Sequence, residues 1–161
     1  MTDSTTSTRT NAAYIFAFTF VCAVAFIYAL IAVTLVPYWQ QLSGTEIQSW
    51  WSGPFTRFSY LMVPVHLMSI ISVVYAFVLH WKRDTNRSMW LVALGGLLVC
   101  QGFNFFLHGA VYNPALQAGT LDPTAALEVF DQWDLYHSVR TVSVWLSLAA
   151  LVAIGLRTKS S

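Results

Sequence analysis

Charged side chains are scarce. Asp, Glu, Lys and Arg make up 9% of the 161 residues, while apolar residues make up 57%. A soluble domain carries about 25% charged residues, so this composition excludes a water-soluble globule and points to a membrane protein. Basic tracts are absent and the net charge is +1, which leaves no footprint for nucleic acid. Cysteine is nearly missing. Cys22 and Cys100 each fall inside an apolar run, and neither has a second cysteine at metal-ligand spacing. A disulfide framework and a thiolate metal site are both excluded on that pattern. The chain also lacks a Gly-rich phosphate loop, a Ser-His-Asp order and an H-x-x-x-H pair, and it contains no repeat or low-complexity segment.

What is present is four long apolar windows. They run over about 11–36, 58–81, 88–111 and 124–156, the last with its charges in the first half. The first three exceed the roughly 20 residues a spanning helix needs. The fourth is shorter than it looks: Thr141 to Leu156 is a charge-free stretch of 16 residues, about 24 Å of helix against a hydrocarbon core of about 30 Å. It therefore needs the polar head Trp133–Arg140 to cross. The expected fold is all-α, an antiparallel four-helix transmembrane bundle over 12–157. A Ser/Thr-rich disordered tail over 1–11 precedes it, and a short tail over 158–161 follows. The first window is longer than the h-region of a signal peptide and reads as an uncleaved helix. Pro37 is expected to stop the first helix, Asn113-Pro114 to end the third, and Pro64 to bend the second.

Basic residues set the orientation. Arg9, Lys82, Arg83, Arg87, Arg157 and Lys159 fall on one side, and Glu46, Asp122, Glu128, Asp131 and Asp134 on the other, with Arg57. Positive-inside logic places both termini in the cytoplasm and the two longer loops outside, as in a bacterial inner or cell membrane protein. The first outer loop, from Pro37-Tyr38-Trp39 to Trp50-Trp51, is rich in the aromatics that suit a membrane–water boundary. In the second, Asp122-Pro123 is an N-cap followed by a first-turn proline.

Polar side chains recur at helical spacing. Gln101, Asn104 and His108 share a face of the third helix, Trp133, His137 and Arg140 a face of the fourth, and Met62, His66 and Ser69 a face of the second. Lipid-facing positions do not tolerate such residues, so the three stripes are expected to point inward around an outer-leaflet cavity. His66 would lie about 14 Å below the entry of its helix, His108 and His137 nearer the outer surface. His80, beside Trp81 and Lys82, reads as interfacial. Each histidine has a plainer reading as an interhelical hydrogen-bond partner, worth on average about 0.6 kcal/mol. Arg140, in turn, has one as a topological anchor that snorkels or pairs with Glu128, Asp131 or Asp134.

Three imidazoles at one level, His66, His108 and His137, also suit a transition metal such as copper or iron. A pair of stacked haems would need a second helix matching His66 and His80, and none exists. A single haem between His66 and His108 or His137 is the weaker metal alternative.

Three stretches carry a family likeness: Val36-Pro37-Tyr38-Trp39 with Trp50, Asn113-Pro114-Ala115-Leu116, and above all Trp133-Asp134-Leu135-Tyr136-His137-Ser138-Val139-Arg140-Thr141. With Met62-Val63-Pro64 they make the chain, from about residue 14 onward, resemble the small four-helix membrane proteins grouped with anthrone oxygenases. Many of these have no assigned function. The resemblance implies oxidation of an anthrone-like phenol by O2 without a dedicated cofactor, and Asn113, Trp133, His137 and Arg140 as the site residues. His66 and His108 are not part of that motif. On this view His137, an imidazole of ordinary pKa near 6.5, takes a proton from an acidic C–H or O–H. Arg140 and Asn113 stabilise the enolate.

The expected function is a membrane-embedded oxidoreductase or oxygenase acting on a lipophilic small molecule in an outer-leaflet polar cavity. Gln101, Asn104, Met62, Ser69 and Tyr136 are expected to line it. Two alternatives stand beside it: a non-catalytic accessory subunit of a larger membrane complex, and a metal- or haem-binding membrane protein. Ala32, Gly95 and Gly96 would permit close helix approach, within the bundle or in a homo-oligomer.

Overall fold

A computed structural model describes residues 3–81 and 86–157, with side chains from Thr10 onward. Lys82, Arg83, Lys159 and the expected tail over 158–161 lie outside the described residues. Helices account for nearly all of the described chain, and it contains no strand among those residues. Four helices are long and apolar enough to cross a membrane: Thr10–Trp39, Gly44–His80, Arg87–Gln117 and Pro123–Arg157. They form a four-helix bundle with the length and composition of an integral membrane protein.

The first three helices overrun the limits read from the sequence. The first begins at Asp3, so the residues from 3 to 11, expected as a disordered tail, are helical. An established apolar helix propagates at little cost into its flank. At the other end the first helix passes Pro37 and continues to Trp39, and the third passes Pro114 and continues to Gln117.

The helices pass these prolines by widening. A π-helical run over Ile31–Leu35 precedes Pro37, one over Trp51–Phe55 contains Pro54, and one over Phe103–Tyr112 precedes Pro114. In the first, Val36 N–H bonds Ile31 O, and after the third, Asn113 N–H bonds His108 O. Proline has no N–H and its ring crowds the carbonyl four residues back. An i→i+5 register relieves both problems, and short wide turns of this kind often mark functional sites. Pro64, expected to bend the second helix, lies inside the α-helix Thr56–His80.

Helix starts follow local chemistry. Ser43 and Glu46 close a capping box at the start of the second helix, with Glu46 Oε2 accepting from Ser43 N–H at 2.8 Å. Asp122 Oδ1 accepts the N–H of Thr124 at 3.0 Å and of Ala125 at 3.1 Å, which is the cap that Asp-Pro announces. Gly44 then abuts the backbone of Pro123 so closely that a Cβ would fall 2.0 Å from the Pro123 carbonyl oxygen. Gly96 plays a similar part between the third and fourth helices, where a Cβ would lie 2.6 Å from Ser143 O. Gly95, expected to share that role, faces open space.

At one end of the bundle Tyr14 donates to Leu151 O at 2.9 Å and meets Trp90 edge-on, and Trp90 stacks on His80. At the opposite end lies an aromatic core. Trp51 and Trp133 meet at 5.3 Å and 88°, Trp39 and Trp133 at 5.7 Å and 82°. Trp39 and Trp51 are fully buried, so these two belong to the protein core and not to a lipid-facing belt. Offset and edge-to-face ring pairs of this kind each add about 0.5–1.5 kcal/mol beyond their buried area. This aromatic plug sits directly above the polar residues.

Candidate functional site

A single guanidinium organises the polar interior. Arg140 is 4% exposed. Its Nε and Nη2 donate to His137 Nδ1 at 3.1 and 2.8 Å, and its Nη1 donates to Asn104 Oδ1 at 2.8 Å. Its Cζ lies 4.7 Å from the Tyr28 ring centroid and 5.1 Å from that of Trp133. Every one of these partners is neutral. The plainer reading of Arg140, an anchor paired with Glu128, Asp131 or Asp134, is replaced by this arrangement. Asp134 accepts instead from Gln40 Nε2 at 3.0 Å.

The three histidines occupy different roles. Since His137 Nδ1 accepts from Arg140, its proton sits on Nε2, which is buried without a hydrogen-bond partner. The His137 ring is fully buried and stacked on Trp133 at 5.1 Å and 10°. His66 faces Met62 O through Nδ1 at 2.7 Å. A carbonyl only accepts, so Nδ1 carries the proton and Nε2 accepts from Tyr28 Oη at 2.5 Å. His108 places Nδ1 3.1 Å from Phe103 O and Nε2 3.1 Å from Trp133 O.

These bonds correct the metal expectation. No group of three or more His, Cys, Asp or Glu side chains among the described residues is placed to hold a metal ion. His66 meets Tyr28 and a carbonyl, His108 lies between two carbonyls and His137 Nδ1 holds a guanidinium, so the three rings do not converge as a ligand set. Equal height in the membrane is not convergence.

A pocket of about 270 Å³ adjoins Arg140. Arg140, Asn104, Asn113, His66, Tyr28 and Met62 line it, together with Thr56, Ser59 and Gln117 near its top and several aromatic rings. All three wide turns reach it, through Ile31, Phe55 and the pair Asn104 and Phe105. Its side wall is made of Tyr60, Val63 and Phe105, which are 73%, 45% and 38% exposed on the apolar flank between the second and third helices. The polar interior therefore opens sideways, onto the exposed apolar surface of these two helices.

The expected site residues divide accordingly. Arg140, Asn113, Asn104 and Met62 line the pocket, and His66 lines it as an imidazole instead of a metal ligand. His137 and Trp133 stand behind it: His137 holds Arg140, and Trp133 Nε1 donates to Asn113 Oδ1 at 3.0 Å. Gln101, Ser69 and Tyr136, expected to line the cavity, do not. Ser69 is buried and donates to His66 O at 2.7 Å. Gln101 is buried with its amide unpartnered. Tyr136 stacks on Phe103 and Tyr112. Tyr28 is the residue the sequence reading missed. Its one signal was a phenolic hydroxyl in the middle of the first apolar span, where a hydroxyl needs a partner.

No match to the chain was found among protein-family models, curated proteins or solved structures.

Proposed function

We propose that this protein is a membrane-embedded oxidoreductase or oxygenase acting on a lipophilic small molecule in the Arg140 pocket. One observation carries the reading. A hydrogen-bonded Tyr28–His66 pair and a buried guanidinium line the same cavity, and that cavity opens onto the lipid-facing flank. The likeness to anthrone oxygenases supports the same class. Apolar substrates and O2 both concentrate in lipid, so a lateral mouth suits both.

The chemistry assigns His137 a positioning role and gives proton transfer to His66. An acidic C–H or O–H of the substrate passes its proton to Tyr28 Oη as Tyr28 passes its own to His66 Nε2. Arg140, held by His137 and Asn104, stabilises the enolate oxygen. The carbanion adds O2 to give a peroxide anion, which takes a proton back and loses water. A CH2 group and O2 thus become C=O and H2O, with no further reductant.

On this reading the pocket lies in the outer leaflet of a bacterial inner or cell membrane, with both termini cytoplasmic. Arg87 and Arg157 at one end of the bundle and Glu46, Asp122, Glu128, Asp131 and Asp134 at the other support that orientation. The up-and-down order of helices is supported by the meeting of Tyr14 with Leu151 and of Trp39 with Trp133.

The test is oxygen uptake and quinone absorbance with an anthrone and the purified protein in lipid nanodiscs. Turnover should fall about 100-fold in His66→Gln and Tyr28→Phe, and survive in His137→Asn, which keeps an acceptor where Nδ1 stood. Equal rates in all variants and in protein-free nanodiscs would overturn the proposal.

A further inference from the structure

The pocket's hydrogen-bonding groups are biased toward one kind of ligand. Arg140 has five N–H groups, of which three are directed to His137 and Asn104. The remaining two, one on each terminal nitrogen, are directed at neither residue, and the Tyr28 hydroxyl lies near enough to engage one of them. Asn104 has its carbonyl oxygen occupied by Arg140, so its Nδ2 amide group is what it has left to offer. Asn113 is fixed in the same sense and more firmly. Its Oδ1 accepts from Trp51 Nε1 at 3.2 Å and from Trp133 Nε1 at 3.0 Å. Two indoles can only donate, so the orientation of this amide is decided and Nδ2 is again the outstanding group. His66 Nε2, an acceptor lining the same pocket, is already taken by Tyr28.

Around Arg140, then, the outstanding groups are donors, and the positive charge has no carboxylate among its hydrogen-bond partners. A buried guanidinium without an anion is costly in a bilayer. A ligand that brings acceptor oxygens and a negative charge would satisfy both deficits at once.

We propose that the pocket binds an amphiphile as its anion, its oxygen-bearing head on Arg140, Asn104 and Asn113 and its apolar part extending toward lipid past Tyr60, Val63 and Phe105. This rests on the pocket being the working site, as in the proposed function, and it adds the substrate class. The head is a carboxylate or an ionised phenol or enol, both of which offer charged oxygen acceptors to these donors.

The experiment uses the full chain in nanodiscs of neutral lipid and reads binding, not turnover. The probes are dodecanoate and an ionised anthracenol, each set against its O-methylated counterpart, with thermal shift and tryptophan fluorescence as readouts. At least one acid should bind tenfold or more tighter than its methyl ester or ether, and which of the two does so identifies the source of the head group. Two variants keep the test sound. Asn113→Asp retains the oxygen that both indoles use and replaces the donor with a negative charge. Asn104→Asp hands Arg140 an internal counter-ion. Both should fold, Asn104→Asp with undiminished or higher thermal stability, and both should lose the preference for the acid. Equal binding of acid and methylated forms would overturn the inference, as would an acid preference unchanged in both variants. Acid binding without oxygen uptake would leave this inference standing and remove the oxygenase, whereas turnover with no acid preference would do the reverse.

Discussion

His137 Nδ1 accepts two N–H groups of Arg140, at 3.1 and 2.8 Å, from one turn before it on the same helix. The imidazole is thereby committed to holding the guanidinium. His137→Ala would leave a buried charge short of its acceptor, at about 1.5–3 kcal/mol for a hydrogen bond to a charged group. Thermal unfolding in detergent should show a clear loss for His137→Ala and a small one for His137→Asn. Equal losses would mean that the ring's packing on Trp133 matters and the acceptor does not.

Asn113 ties two buried indoles from different helices. Removing its side chain in Asn113→Ala leaves Trp51 and Trp133 N–H without an acceptor, at about 1–3 kcal/mol for each group. The expected outcome is a lower melting temperature together with a shift in tryptophan emission. An unchanged emission spectrum would argue that neither indole depends on Asn113.

Gly44 meets the Pro123 backbone with no room for a methyl group. Because the obstruction is a carbonyl and not a movable side chain, Gly44→Ala must shift one helix start against the other. Overpacking of this sort costs about 1–3 kcal/mol. Gly95→Ala, at a position with open space, should leave stability unchanged or slightly raised. The pair of variants measured side by side in thermal unfolding checks the contact.

Both ring nitrogens of His66 are bonded within the bundle, and those of His108 face carbonyl oxygens, to one of which the neutral ring donates. Stoichiometric Zn2+ or Cu2+ should therefore bring no rise in melting temperature in the wild-type protein. A shift of several degrees that disappears in His66→Gln would restore the metal reading.

Much of the architecture was legible because it follows from one-dimensional physics. Apolar length fixes how many helices can span, and Asp122-Pro123 announces where the fourth begins. Boundaries at prolines were not legible. Pro37 and Pro114 looked like stops because a proline ends an α-helix, yet a wide turn before each lets the backbone continue.

The same wide turns limited how much of the site could be read. Spacing of i, i+3 and i+7 assumes about 100° per residue, and it set Gln101, Asn104 and His108 on one face. A wide turn adds a residue and rotates everything beyond it relative to that arithmetic. The third helix widens from Phe103 onward, between Gln101 and Asn104. Asn104 consequently reaches Arg140 and the pocket, while Gln101 is buried away from it and His108 turns to the Trp133 carbonyl. Tyr28 was invisible for a different reason: its partner is 38 residues away, on another helix.

The sequence by itself determined that four apolar helices form, that they are of membrane length, and that Arg140 must find a partner in a low-dielectric surrounding. Hydrophobicity and desolvation cost act on each segment alone, so no neighbour is needed to read them. Only the tertiary structure decided that His137 holds Arg140, that His66 joins Tyr28 beside the pocket, and that the cavity opens between the second and third helices. Those outcomes depend on how each helix is rotated about its axis, and that rotation is set where widened turns and packed aromatic rings meet.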